Sequence, residues 1–541
     1  MSPRPWQELA AAKKKEQLSR IPAEWLLKPE AMPAPETVDL RPVATSCGIL
    51  SAKELEITGD YDATALLEKI ASGAYTALEV VTAYCKRAAV GQQLCNSLTE
   101  IMFADAIAAA AQLDETFKAT GKTVGPLHGL PMTFKECFHV KGYDASDGYI
   151  SRTFDPSTYD SYMIQLVRKA GAVVIAKTNT PQTMLVAEAH NNIFGQTKNP
   201  VVSHLTCGGS SGGEGSMIAF RGSALGIGTD VGGSIRIPAA ANGTYGYKPS
   251  FGILPMFGYA ASSWTGMNTG IPAVCGPLAT SARDLKLLTR VVRDAKPWVV
   301  DPAIIPHICE MGASDRKPVV GIIKASGLTP HPPISRGLEE ARSKLKAAGF
   351  EVKDFVPPDF ADMGKVTREL FTLDGLSYQK GEIAKAGEPV VQSVKNIGFW
   401  EIPAKNPEEM WEWNTKRLGF VKQMLDRWME AGVDVVLAPV GAHTAVKPDE
   451  WMLDSYTVAW NAVDYPAVVI PYSVADPKKD QPVSDFVAWE GNQKADEAIH
   501  ALYDPQLMAG APICLQLVGP RLGDEQLLKD VELIDSIINA K

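Results

Sequence analysis

Residues 207–251 read C-G-G-S-S-G-G-E-G-S-M-I-A-F-R-G-S-A-L-G-I-G-T-D-V-G-G-S-I-R-I-P-A-A-A-N-G-T-Y-G-Y-K-P-S-F, and the organisation of the whole chain follows from them. Twelve of these residues are glycine and six are serine. Their order is aperiodic and broken by apolar pieces, which a flexible Gly/Ser linker would not show. The stretch reads instead as two serine-bearing turns held in place. Glycine reaches backbone angles closed to other residues and lets the main chain approach a bound group closely. Gly232-Gly233-Ser234, entered from an expected strand over Ala224–Gly228, therefore suits backbone N–H groups from Val231 to Ser234 to an oxyanion hole beside the Ser234 hydroxyl. Ser234 is the candidate nucleophile.

A serine hydroxyl is a weak nucleophile until a base takes its proton. There is no G-x-S-x-G elbow, and none of the eight histidines lies beside either serine turn, which weighs against a Ser-His-Asp triad while leaving it open. A lysine kept neutral by burial would serve, because desolvation disfavours the ammonium form. The apolar run Leu127-His128-Gly129-Leu130-Pro131-Met132-Thr133-Phe134-Lys135 ends on one. Asp230 and Arg236 flank the nucleophile turn with opposite charge and read as a clamp that holds the loop. Thr229 is expected to hydrogen-bond backbone in the same loop, and Ser211 to act as a supporting donor beside Ser210. Cys137 and Cys207 lie near the candidate residues, but neither is paired with a histidine motif, so both are read as packing. The eight cysteines form no C-x-x-C pair and no His/Cys cluster at metal spacing, so neither a metal nor another cofactor is expected.

Three spaced motifs now stand in order: G-L-P-M-T-F-K at Gly129–Lys135, G-G-S-S-G-G at Gly208–Gly213 and G-T-D-V-G-G-S-I-R-I-P at Gly228–Pro238. Together they resemble the amidase signature enzymes, serine hydrolases with a Lys, cis-Ser, Ser triad. The resemblance implies Lys135 as the base, Ser210 as a relay serine in a cis peptide, and Ser234 as the nucleophile. It also places Met184 at the substrate pocket, a residue that base rates alone would assign to the core. The fold it implies is a single large mixed β-sheet wrapped by helices. Trp6–Ala10, Cys85–Ala89 and His331–Ile334 are similar to the fungal acetamidase or general amidase branch, which extends the resemblance to nearly the full length.

The rest of the chain is consistent with an α/β layered architecture. Helical spacing covers Ala63–Ser72, Leu78–Ala89 and Phe103–Phe117. Helix and strand then alternate: Tyr162–Ala170 with Ala172–Ala176, and Ser335–Ala348 with Phe350–Phe355. The spacing over Glu408–Ala431 predicts a long helix with Leu418, Val421, Leu425 and Trp428 inward, feeding a strand at Val433–Ala438. Tyr465–Pro471 and Gly510–Gly519 read as late strands, and Asp524–Ile538 as a closing helix. Residues 1–60 read as a polar N-terminal helical arm packed on a catalytic domain over 61–541, with Lys13-Lys14-Lys15 on a solvated helix face.

At 541 residues, 45% hydrophobic and 21% charged, the composition is that of an ordinary soluble globular protein. The formal net charge of −9 argues against a nucleic-acid partner. No unbroken apolar run reaches membrane-spanning length, and the N-terminus lacks an apolar signal core, so a cytoplasmic setting is expected. The expected activity is an amidohydrolase acting through a Ser234 acyl-enzyme on a small-molecule amide, small aliphatic or aryl amides leading, with homodimerisation left open. A carbamate ester hydrolase or a fatty-acid amide hydrolase would use the same residues. A glutamine-dependent amidotransferase subunit is a third alternative. A nucleotide-binding module fails on spacing, since neither G-x-x-x-x-G-K-[ST] nor a complete G-x-G-x-x-G occurs.

Overall fold

The apolar run that ends at Lys135 folds as a strand, and the glycine-rich run that ends at Asp230 pairs beside it in parallel. A computed structural model describes residues 5–267, 269–306, 312–314, 316–451 and 455–540. Its strands, in chain order, are β1 (Leu98–Ile101), β2 (Pro131–Lys135), β3 (Val173–Thr178), β4 (His190–Asn191), β5 (Gly195–Gln196), β6 (Leu225–Asp230), β7 (Tyr245–Lys248), β8 (Val274–Ala279), β9 (Val320–Ile322), β10 (Val352–Asp354), β11 (Val435–Pro439), β12 (Ala467–Val474) and β13 (Pro512–Val518). Eleven of them form one mixed sheet in the order β1-β3-β2-β6-β8-β7-β12-β13-β11-β9-β10, while β4 and β5 make a separate hairpin. The fold is therefore α/β with a single large mixed sheet, as the resemblance implied.

Within this sheet β3, β2 and β6 run parallel, with Lys135 opposite Thr178 and Phe134 opposite Ile227. Parallel strands need covering elements on their faces, and all three are buried along their whole length. Helices Ala77–Cys95 and Gly212–Ala219 pack against them. The remainder of the sheet is covered by Ala282–Asp294, Pro332–Ala347 and Asp524–Ile538, the last with the bounds its spacing predicts. Because β2 and β6 share a direction, their carboxyl ends open on one edge of the sheet, and that edge receives Lys135 and Asp230 together. Among the described residues, no helix is long and apolar enough to cross a membrane.

Two expectations fail in instructive ways. Helix Pro407–Ala431 forms, but Leu418 and Leu425 are 56% and 46% exposed, and Met424 and Trp428 carry its buried contacts. Residues 418, 421, 425 and 428 fit a helical face, yet 420, 421, 424 and 428 fit one equally well. The aromatic cluster of Phe355, Trp428, Tyr465 and Trp460 selects the second.

The lysine run is the other correction. Helix Trp6–Ser19 does not leave Lys13 in solvent: it is 2% exposed, with its Nζ 2.5 Å from Glu100 and 2.7 Å from Asp144. Burial alone would lower the Lys13 pKa, but Glu100 and Asp144 outweigh it and hold the ammonium above its usual range. Gln17 adds a hydrogen bond to the Leu98 carbonyl at 2.6 Å, so the helix docks on β1 through polar groups.

Breaking a buried ion pair leaves an uncompensated charge and costs about 3–5 kcal/mol. Lys13→Met is expected to lower stability by that order in chemical denaturation, and adding Glu100→Gln to recover part of the loss. An unchanged midpoint in Lys13→Met would show that the helix contributes nothing to the body.

Candidate active site

Lys135 closes β2 with its side chain wholly buried. Its Nζ donates to Ser210 Oγ at 2.7 Å and to Thr229 Oγ1 at 2.8 Å. Burial pulls the ammonium from 10.5 down to about 8, against the opposing attraction of Cys137, Asp147, Asp230 and Glu214. Glu214 is itself pushed up to about 8 by burial, with Thr133 and Thr178 donating their hydroxyls to it. At neutral pH its carboxyl is therefore mostly protonated and puts little negative charge beside the lysine. Thr229 differs from expectation: its hydroxyl faces Lys135, while its backbone exchanges hydrogen bonds with the Ser211 hydroxyl at 3.3 Å in both directions.

Ser210 lies in the turn before helix Gly212–Ala219, and the Gly209–Ser210 peptide is cis. The Ser211 N–H donates to the Ser234 carbonyl at 3.1 Å. With its hydroxyl on Thr229, Ser211 thus links the two serine turns. A Cβ on Gly209 would stand 2.0 Å from the Glu188 carbonyl oxygen, so this approach admits only glycine.

The second turn follows β6 and leads into helix Arg236–Asn242. Asp230 and Arg236 are both fully buried, and the guanidinium grips the carboxylate bidentately, Nε to Oδ2 and Nη2 to Oδ1, each at 3.0 Å. Burial would raise the Asp230 pKa, but Arg236 more than offsets it and holds the carboxyl well below the usual range. The same carboxylate accepts the N–H groups of Gly233 at 2.8 Å and Ile235 at 3.1 Å. One detail of the expected oxyanion hole changes as a result. The Gly233 N–H is committed to Asp230, which leaves Val231, Gly232 and Ser234 as the N–H groups of this turn without a protein partner among the described residues. Gly233 sits at φ 134°, and a Cβ there would meet Thr457 Oγ1 at 2.3 Å, so the turn requires glycine.

Ser234 borders an open cavity of about 380 Å³. Among the described residues its hydroxyl makes no hydrogen bond, so the contact to Ser210 that a proton relay needs is not made in this structure. Met184 lines the same cavity, 8% exposed and at φ 62°. Phe371, Phe399, Trp451 and Val458 supply much of the apolar wall. Burial pushes the Cys137 thiol up to about 12 and also holds that of Cys207 well above its ordinary value, which keeps both protonated and fits their reading as packing.

Sequence reasoning missed the residues that reach in from the distant half of the chain. Arg236 Nη1 donates to the Thr457 carbonyl at 2.9 Å, and Nη2 to Asn461 Oδ1 at 2.5 Å. Asn461 returns a bond to Asp230 at 2.9 Å, and the Thr457 hydroxyl donates to the Gly232 carbonyl at 2.7 Å. These residues stand more than 200 positions from the turn they brace and carry no local motif, so nothing near them announces the role.

Comparison with known proteins bears on the fold and the family. A solved structure of fatty acid amide hydrolase superposes with a TM-score of 0.94 at 30% identity, covering 99% of this chain and 95% of that one. Acetamidases from Aspergillus oryzae and Emericella nidulans are 36% and 37% identical, over 98% and 99% of this chain and 99% of each relative. The family model described as Amidase matches residues 79–528. Fold and relatives define an enzyme that hydrolyses amides. More narrowly, the chain belongs to the amidase family.

Removing Arg236 would strand a buried carboxylate, at a cost of about 3–5 kcal/mol. Arg236→Ala is expected to lose stability and activity together, with the drop in melting temperature accompanying the loss of turnover. Lost activity at an unchanged melting temperature would instead reassign Arg236 to direct contact with the substrate.

Proposed function

We propose that Ser234 is the nucleophile of a serine amidase, with Ser210 as proton relay and Lys135 as base. The observation that carries this reading is the buried Lys135 amine, 2.7 Å from Ser210 Oγ and with its pKa lowered to about 8, beside the cavity that Ser234 lines. A neutral lysine accepts a proton, whereas an ordinary one at about 10.4 would stay charged and inert.

As Ser234 Oγ bonds to the amide carbon, its proton passes to Ser210 and the Ser210 proton passes to Lys135. The Val231, Gly232 and Ser234 N–H groups receive the oxyanion. Collapse of the tetrahedral intermediate breaks the C–N bond, and the proton returns through Ser210 to the departing nitrogen, which leaves as ammonia or an amine. Water then attacks the Ser234 ester carbonyl and gives its proton through Ser210 to Lys135; collapse breaks the ester C–O bond, the proton returns through Ser210 to Ser234 Oγ, and the acid leaves as its carboxylate.

The substrate is an amide whose acyl or aryl group is larger than acetyl. A cavity of about 380 Å³ lies within the range of roughly 300–1,000 Å³ that holds drug-sized ligands, far more than acetamide fills. Its aromatic and aliphatic wall favours an apolar group.

Covalent labelling by a fluorophosphonate tests the nucleophile. Ser234→Ala is expected to remain unlabelled and inactive, and full labelling of that variant would move the nucleophile elsewhere.

The base is tested by pH. Because the amine must be neutral to act, kcat/KM is expected to be low below about 8, rise as pH passes through about 8 and level above it. Lys135→Ala is expected to lose about two to four orders of magnitude, the usual worth of a positioned base, together with that alkaline limb. Substituting the histidines singly is expected to leave the profile's shape alone. A limb that survived in Lys135→Ala and vanished in one histidine variant would replace the lysine with that histidine.

A further inference from the structure

Part of the cavity wall is furnished by helix Phe360–Phe371, which contributes the exposed Lys365 and Arg368 to the lining. Among the described lining residues there is no aspartate or glutamate. This concentration of positive charge runs against a chain whose formal net charge is −9.

The two cations are not equivalent. Lys365 Nζ is held by Asp362 at 2.9 Å, a pair exposed on the same helix. Arg368 has no acidic partner among the described residues. Its guanidinium lies over the Phe399 ring, 5.7 Å from the centroid, so stacking orients a planar fork whose N–H edge remains available. A basic residue in the last turn of a helix also compensates the helix dipole, which accounts for a cation at this position but not for its place on the cavity wall.

We propose that the cavity selects amides whose apolar part ends in a carboxylate or a similar anionic group, and that Arg368 pairs with that end. The cavity has a largely apolar wall with Ser234 and the Arg368 guanidinium both on its lining, and a guanidinium matches a carboxylate bidentately. The inference rests on the amidase reading of Ser234, and adds to it the chemistry of the substrate's far end.

The test uses the purified full-length chain and matched pairs of primary amides of increasing length, each pair comprising a methyl-ended amide and the monoamide of the corresponding dicarboxylic acid. Ammonia release gives kcat/KM for each. At one chain length the carboxylate-ended amide is expected to be favoured by roughly fivefold to tenfold, the worth of a partly exposed charge-assisted pair, and the preference is expected to shrink at high salt. Arg368→Gln is expected to bring the ratio towards one, Arg368→Lys to keep part of it, and Arg368→Glu to turn the preference towards amino-ended amides.

A wild-type ratio of one or below at every length, or a ratio unchanged in Arg368→Gln, overturns the proposal while leaving the amidase reading intact. Failure of the wild-type chain to hydrolyse either member of any pair removes the amidase reading itself.

Discussion

An amine buried without a carboxylate to pair with is the constraint on which this structure turns. Among the described residues Lys135 forms no ion pair, and its two hydrogen bonds go to hydroxyl groups. Water would solvate the ammonium and restore its ordinary basicity, so the site has to exclude it, and a fully buried strand flanked on both sides by others in a wide sheet does so. Nearby acids have to be weakened as well. Glu214 is weakened by its own burial, which raises it to about 8, and the guanidinium of Arg236 offsets part of the Asp230 charge, though both acids still pull on the lysine. Asp147, pushed up to about 6 by burial, retains part of its pull on the lysine. The balance still falls on the side of desolvation.

The Asp230–Arg236 pair consequently does two things at once. It offsets part of the charge on a carboxylate that favours the charged lysine, and it fixes the turn that presents the Ser234 backbone by accepting the N–H groups of Gly233 and Ile235. Thr457 and Asn461 complete the network from helix Ser455–Ala462, so the two halves of the sheet meet at the turn through hydrogen bonds as well as apolar packing. Buried polar networks of this kind rigidify a site when every member is satisfied.

Chemistry and selectivity come from different parts of the chain. The proposed reacting groups lie between Lys135 and Arg236, on the carboxyl ends of β2 and β6 and the turn before helix Gly212–Ala219. Much of the cavity wall lies between Ala361 and Ala495. Changes in that wall alter which acyl group fits while leaving the proton path untouched, which is how one catalytic arrangement serves amides of very different shape.

The sequence alone carried the candidate reacting groups, because their chemistry is local: glycines that permit a close backbone approach, serines that follow them, and a lysine at the end of an apolar run each leave a mark within a few residues. It carried the α/β class and most element positions for the same reason, since periodicity is a local property, as Asp524–Ile538 shows. Tertiary structure decided what depends on neighbours distant in the chain. Only packing could choose Met424 over Leu425 as the inward residue of its helix, because both lie on acceptable faces and the aromatic cluster selects between them. Lys13 reads as a solvated lysine until β1 brings Glu100 beneath it and residues 141–149 bring Asp144, and the Gly233 N–H reads as free until Asp230 folds back onto it. Thr457 and Asn461 acquire their positions through contacts across more than two hundred residues, and such contacts leave no trace in the spacing of any one segment.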